Sequence, residues 1–193
     1  MRIAVIGAGA MGSIYGGHLS QHNEVVLVDT NETVVKKITD EGLCIDENDT
    51  TNVYHPSAVS NTKEEKPADL VILFVKALFS RSALEGNRAL IGPNTCLMTL
   101  QNGAGHEDLL KEFVAEDHII IGTTEDNGAV LGLGHVRHGG AGVTNVGMLT
   151  EDQEGFLPKL KEAFDACGFQ VKIHDNIQQL IWDKLFTNVS LSA

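Results

Sequence analysis

The sequence predicts an α/β fold built around a mostly parallel, doubly wound sheet, and three observations carry that expectation. An apolar run, Ile3–Ile6, enters Gly7-Ala8-Gly9-Ala10-Met11-Gly12, a helix-like segment follows, and a second apolar run, Val25–Val28, stops at Asp29. Apolar strand-like runs and helix-like segments then alternate along most of the chain. Asp29 itself lies at the spacing from the glycines that a Rossmann-type dinucleotide unit requires.

Each position in the glycine run has a mechanical reading. Gly7 permits a tight turn, Gly9 lets backbone amides approach a pyrophosphate, and Gly12 lets the helix pack close to the strand. Ala8, Ala10 and Met11 complete a loop whose amides face the anion at the positive end of the helix. The competing reading is an ordinary glycine-rich turn between a strand and a helix. The strand before, the helix and second strand after, and the acid at the second strand's end favour dinucleotide binding.

The remaining elements follow in order. Asn31–Glu41 is predicted as a helix with Asn31 as its N-cap, Val34, Val35 and Ile38 on one face, and Gly42 closing it. Leu43–Ile45 and Asn52–His55 are short strands in a polar insert, and Asn61–Lys66 is solvated. Asp69–Val75 is a buried strand ending at Lys76, followed by a helix over Ser82–Leu90 that Gly92-Pro93 terminates. Strand Thr95–Leu100 opens onto Gln101-Asn102-Gly103-Ala104-Gly105, a ligand-facing loop, before helix Glu107–Phe113 and strand His118–Gly122. The glycine and β-branched residues from Asn127 to Val146 predict antiparallel hairpins on the sheet's edge. A helix over Gln153–Ala166, a strand over Gln170–Ile173 and a helix from Asn176 complete the chain.

Composition narrows the function classes. Hydrophobic residues make up 42% and charged residues 21% of the 193 positions, a globular balance. A net charge of −12, from 14 Lys+Arg against 26 Asp+Glu, speaks against a nucleic-acid partner. Cys44, Cys96 and Cys167 are scattered, which predicts reduced thiols and a cytoplasmic location. The longest apolar run, Leu70–Val75, is far too short to span a membrane. His135 and His138 flank Arg137 in a glycine-rich hairpin without an evident third ligand, so no metal site is predicted and both histidines are expected to be exposed. Glu125-Asp126 is expected to be a solvated acidic loop.

Four segments together resemble the ketopantoate reductase family, the 2-dehydropantoate 2-reductases. They are Ile6-Gly-Ala-Gly-Ala-Met-Gly12, Phe74-Val-Lys-Ala77, Leu100-Gln-Asn-Gly103 and Ile181-Trp-Asp-Lys-Leu-Phe-Thr-Asn188. The resemblance implies an oxidoreductase that uses NAD(P) to reduce a small 2-oxo acid, with NADPH the usual cofactor and 2-dehydropantoate to pantoate the usual reaction, a step of pantothenate biosynthesis. It implies that Lys184 is the catalytic proton donor, that Asn102 contacts substrate and nicotinamide, that Lys76 lies on the cofactor side of the cleft, and that Asn188 binds substrate. Lys184 and Asn188 are four residues apart, so one helix face carries both.

One departure from the family pattern bears on the cofactor. Asp29-Thr30 stands where relatives commonly place a basic residue for the 2′-phosphate, and a carboxylate accepts a ribose 2′-hydroxyl but repels a 2′-phosphate. NADH is therefore the favoured cofactor, and an NAD-dependent mandelate-type 2-hydroxy acid dehydrogenase is the alternative within the class. The alternative from another class is a nicotinamide-binding sensor without catalysis.

The resemblance also implies an all-helical second domain. The expected division is a dinucleotide-binding domain over residues 1–175 and the first helix of the helical domain over residues 176–193, the rest being absent. Ile181, Trp182, Leu185 and Val189 form a helical stripe without an obvious partner in this sequence. The 193-residue chain is then expected to bind cofactor, to turn substrate over poorly alone and to self-associate, a homodimer being one form of assembly.

Overall fold

The computed structural model describes residues 1–101, 105–152 and 154–183. Its strands are β1 (Arg2–Ile6), β2 (Glu24–Val28), β3 (Leu43–Glu47), β4 (Thr50–Tyr54), β5 (Ser57–Val59), β6 (Leu70–Leu73), β7 (Cys96–Thr99), β8 (Ile119–Thr124), β9 (Asn127–Gly132), β10 (His135–Gly140), β11 (Val143–Met148) and β12 (Gln170–Ile173). Its helices are α1 (Ala10–Leu19), α2 (Glu32–Glu41), α3 (Ser80–Gly86), α4 (His106–Leu110) and α5 (Phe156–Asp165), and residues 177–183 are also helical.

Eight strands form the main sheet in the order β12-β11-β8-β7-β6-β1-β2-β5. From β5 to β8 every pairing is parallel, while β11 runs antiparallel to β8 and parallel to β12. Strand alternation divides the core between two faces. Ile3, Val5, Leu70 and Ile72 pack with Ile14 and Tyr15 of α1 and with Leu160 and Phe164 of α5. Ala4, Ile6, Val71 and Leu73 pack on the other face with Leu84 of α3 and Leu110 of α4. The sheet is thus doubly wound, as the unbroken apolar runs predict.

The local signals on α2 work as expected. Asn31 Oδ1 accepts from the Thr33 amide at 3.1 Å, and Gly42 ends the helix at φ +86°. Helix α5 starts later than predicted, at Phe156, because the Asp152 carboxylate accepts from the Phe156 and Leu157 amides at 2.8 and 2.9 Å. The segment predicted as helix Ser82–Leu90 divides into α3 and a 3-10 turn at Arg88–Leu90. β5, three residues long, was not predicted; it adds to the sheet's edge by parallel pairing with β2.

The hairpin prediction needs correction. β9 and β10 do not extend the main sheet; they join β3 and β4 in a separate sheet ordered β4-β3-β10-β9, and only β11 returns to the main sheet. The reason lies in α1, whose buried residues Gly12, Ser13, Ile14, Tyr15, Gly16, Gly17 and Leu19 run right around the helix. A helix without a polar face needs cover on both sides. The small sheet supplies the outer cover, approaching so closely that a Cβ on Gly17 would lie 2.7 Å from Ile45 Cδ1 and one on Gly128 would lie 2.4 Å from Ile14 Cδ1.

Ile181, expected to lack a partner, packs with Leu180 and the buried Ile177 on the second core face, while Trp182 is half exposed. Leu185 and Val189 lie outside the described residues.

Candidate cofactor cleft

The order of the main sheet reverses at β1 and β6: β2 and β5 lie to one side of β1, while β7 and β8 lie beyond β6. Open α/β sheets bind ligands in the crevice at the carboxyl ends of such a strand pair. Here that crevice is bounded by the Gly7–Gly12 loop after β1 and by Phe74–Lys76 after β6.

The three glycines differ in the way that the sequence suggests. Gly7 has φ +106°, a conformation that favours glycine, and donates its amide to the Val28 carbonyl at 2.8 Å. At Gly12 a Cβ would lie 1.8 Å from the Gly7 carbonyl oxygen, so the start of α1 sits directly against the turn. Gly9 is exposed, and a Cβ there would meet nothing within 4 Å. The space beside Gly9 is therefore a cradle that a side chain would fill. Ala10 and Met11 form the first turn of α1, whose amides lack carbonyl partners within the helix and point toward that space.

Asp29 follows β2 and acts on both neighbouring segments. Its Oδ2 accepts from the Ala8 amide at 2.8 Å and its Oδ1 accepts from the Asn31 amide at 2.9 Å. The carboxylate thus fixes the glycine loop and also caps the following turn, and each oxygen keeps a lone pair for a ligand. Beside it is a cavity of about 400 Å³, lined by Gly7, Asp29, Thr30, Asn61, Val75 and Phe79 among others, with no Lys or Arg among the described residues that line it. Phe79, 54% exposed, forms an apolar lip.

Lys76 is exposed at the carboxyl end of β6, and its carbonyl accepts from the Phe79 amide at 2.8 Å. A residue that sequence reasoning missed holds this loop in place. Gln101 Nε2 donates to the Val75 carbonyl and, at 3.0 Å, to Ser80 Oγ, while its Oε1 accepts from Thr99 Oγ1 at 3.2 Å. Gln101 thereby ties the end of β7 to the segment bearing Lys76. The available signal was its place in the Leu100–Gly103 motif. Asn102, Lys184 and Asn188 lie outside the described residues.

A second polar group corrects two expectations. His138, expected to be exposed, has a side chain only 9% exposed, and Asp126, expected to be solvated, is buried. His138 Nε2 lies 2.9 Å from Asp126 Oδ1, and Asp126 Oδ2 accepts from Thr124 Oγ1 at 2.8 Å and from the Tyr15 hydroxyl at 3.3 Å. Hydrogen bonding to Asp126 raises the His138 pKa, with burial opposing it. Burial pushes Asp126 upward, but bonds from His138, Thr124 and the Gly142 amide outweigh it and hold the carboxyl below its ordinary value. Burial raises the Tyr15 phenol and lowers the His18 imidazole. These side chains lie between α1 and the small sheet, where polar residues bury one another. His135, by contrast, is partly exposed and pairs with Asp46 at 2.9 Å.

Comparisons with known proteins agree with this geometry. The family model for ketopantoate reductase PanE/ApbA matches residues 3–151. The 2-dehydropantoate 2-reductase of Pyrococcus abyssi is 32% identical over 193 residues, covering 100% of this chain and 62% of the relative. That of Lactococcus lactis is 33% identical over 196 residues, with 100% and 63% covered. The solved 2-dehydropantoate 2-reductase from Geobacter metallireducens superposes with a TM-score of 0.88 at 29% identity, covering 98% of this chain and 63% of that one. A D-mandelate dehydrogenase solved with NADH and anilino(oxo)acetate superposes at 0.89 with 34% identity, covering 95% and 60%. The chain spans a little over three fifths of the length of the curated relatives it matches.

Proposed function

We propose that this chain, which belongs to the ketopantoate reductase PanE/ApbA family, is the nicotinamide-binding part of an oxidoreductase that interconverts a 2-oxo acid and its 2-hydroxy acid, with 2-dehydropantoate as substrate. The observation that carries the reading is the open cradle at Gly9, set at the sheet's switch point against the first turn of α1. A dinucleotide fits these residues because a pyrophosphate needs closely approachable amides at a helix N-terminus. The proposed division remains a dinucleotide-binding domain over residues 1–175 and the start of a helical domain over 176–193.

When bound, the nicotinamide supplies or accepts the hydride. The chain's own residues bind and orient. The amides around Gly9, Ala10 and Met11 hold the pyrophosphate, and the free lone pairs of Asp29 accept the adenosine ribose hydroxyls. Lys76 contributes positive charge on the cofactor side. On the resemblance, Asn102 and Asn188 orient the 2-oxo acid, and Lys184 Nζ delivers a proton to the substrate oxygen as negative charge develops there. The partners are small molecules, and the proposed location is cytoplasmic.

A second reading within the class rests on Asp29 and on the lining of the cavity beside it, which favour NADH over NADPH. The D-mandelate dehydrogenase neighbour was solved with NADH, so bulkier 2-oxo acids are the alternative substrates. The test follows nicotinamide absorbance with 2-dehydropantoate and with phenylglyoxylate, each with NADH and NADPH. Oxidation by 2-dehydropantoate supports the first reading, and NADH oxidation by phenylglyoxylate alone supports the second. Saturable cofactor binding without oxidation by any 2-oxo acid, in the longest natural form of the protein, overturns both in favour of a sensor.

A further inference from the structure

We propose that His18, Glu47 and His138 form a binding site for a divalent transition-metal ion, with zinc the best match to the donor set, and that the ion fastens the small sheet to α1. The site stands apart from the cofactor cleft and does not depend on the functional reading. Its residues come from three elements: the last turn of α1, the final residue of β3 and the middle of β10. Their ligand atoms all lie within 4.8 Å of one another. Glu47 Oε2 is 3.0 Å from His18 Nε2 and 3.3 Å from His138 Nδ1. Ligands about 2.0–2.1 Å from a tetrahedral zinc ion are separated from each other by roughly 3.3 Å, so both separations suit a shared ion.

Hydrogen bonding singles out the same three atoms. Glu47 Oε1 is occupied, accepting from the Tyr54 hydroxyl and from Asn52 Nδ2, each at 3.0 Å, which leaves Oε2 directed at the two imidazoles. His138 Nε2 faces Asp126 Oδ1, which also accepts the Gly142 amide at 3.2 Å and has no proton to give. Nε2 therefore carries the hydrogen, and in the neutral ring Nδ1 turns a lone pair toward the Glu47 carboxylate. A carboxylate that fixes the tautomer of a metal-bound histidine is a recurrent support for such sites.

His18 Nε2 decides between a proton and a metal. It is sealed from solvent, and its one close polar neighbour, Glu47 Oε2 at 3.0 Å, lies at an angle poor for a hydrogen bond. A proton on His138 Nδ1 would relieve the conflict with Glu47 but leave His18 Nε2 with only the poorly directed approach to Glu47 Oε2, whereas an ion among the three atoms satisfies all of them. Access is available, since Glu47 and His138 border a surface pocket of about 470 Å³ whose rim includes Asp46 and Asp49. That pocket offers the ion an entry path and room for a water as fourth ligand.

The test uses the 193-residue chain stripped with EDTA and titrated with ZnCl₂ by calorimetry at pH 7.5, with Co²⁺ as a spectroscopic stand-in. The expected result is one ion per chain, a Tm raised by about 5 °C in excess zinc, and visible Co²⁺ absorption of four-coordinate intensity. Glu47→Gln and His138→Gln should abolish the site, Asp126→Asn should weaken it by about 10–100-fold, and His135→Gln should leave it intact. Should a variant fail to fold, stoichiometry and Co²⁺ absorption of the unaltered chain decide alone. Absence of saturable binding, several weak sites, a six-coordinate Co²⁺ spectrum, or binding that survives Glu47→Gln and His138→Gln would overturn the proposal.

Discussion

Alanine at Gly9 and at Gly12 should have opposite consequences, although the two residues belong to one loop. At Gly12 the new Cβ would stand 1.8 Å from the Gly7 carbonyl oxygen, and ordinary contact begins at 3.4 Å, so the start of α1 and the turn must separate by about 1.6 Å. Helix α1 is held between two sheets and cannot move outward without disturbing the cover supplied by β3, β9 and β10. Overpacking of this sort costs about 1–3 kcal/mol, which for a chain of this size lowers Tm by about 2–12 °C. At Gly9 the Cβ meets nothing, and φ −69° is open to alanine. The reduced freedom of the unfolded chain, about 0.4–1 kcal/mol in favour of alanine, is offset by alanine's weakness as an N-cap. Gly9→Ala should therefore keep Tm within about 2 °C of wild type and weaken NADH binding by about tenfold or more, because a methyl occupies the pyrophosphate cradle. Differential scanning fluorimetry and nicotinamide fluorescence titration read the two effects. Wild-type NADH affinity in Gly9→Ala, or a wild-type Tm in Gly12→Ala, would refute the reasoning.

Three further outcomes are expected. Gln101→Ala should lower Tm by at least about 2 °C, since it leaves the Val75 carbonyl and Ser80 short of a partner at a cost of about 1–3 kcal/mol, and should weaken NADH binding by freeing the Lys76 loop; a variant unchanged in both would remove Gln101 from its positioning role. Burial pushes the Cys96 thiol up to about 12 and also raises Cys167, so peptide mapping after iodoacetamide at pH 8 should find Cys44 labelled in the native protein and the other two only after unfolding. Lys184→Ala in the longest natural form should lower kcat by about 10²–10⁴-fold with little change in cofactor affinity; a folded variant retaining more than about a tenth of the rate would contradict the proton-donor role.

Local sequence made much of the fold legible, because particular residues impose particular backbone geometry. Gly7, Gly42 and Asn31 marked a turn, a helix end and an N-cap, and the unbroken run Leu70–Leu73 marked a strand buried on both faces. The small sheet was not legible, because it depends on parallel pairing of Cys44 with His135 and of Asp46 with Arg137 across about ninety residues, and no local pattern encodes that register. The same pairing explains the misjudged histidine. His138 and Asp126 are surrounded by polar and glycine residues in sequence, a pattern that predicts solvation, yet the fold closes them over Tyr15 and His18, where each supplies the other's hydrogen bond. In the cleft the tight turn at Gly7 and the position of Asp29 at the end of β2 could be read from spacing alone. The bracing by Gln101 could not, since it depends on where the ends of β6 and β7 meet.

The proposal that the cleft binds NADH is tested most directly by titrating NADH and NADPH into the 193-residue chain and its Asp29→Asn variant under one set of conditions. The account predicts saturable binding of one nicotinamide dinucleotide per chain, with NADH bound more tightly by about 1–3 kcal/mol and with most of that preference lost in Asp29→Asn. Failure of both dinucleotides to bind, or equal affinities in the unaltered chain, would contradict it.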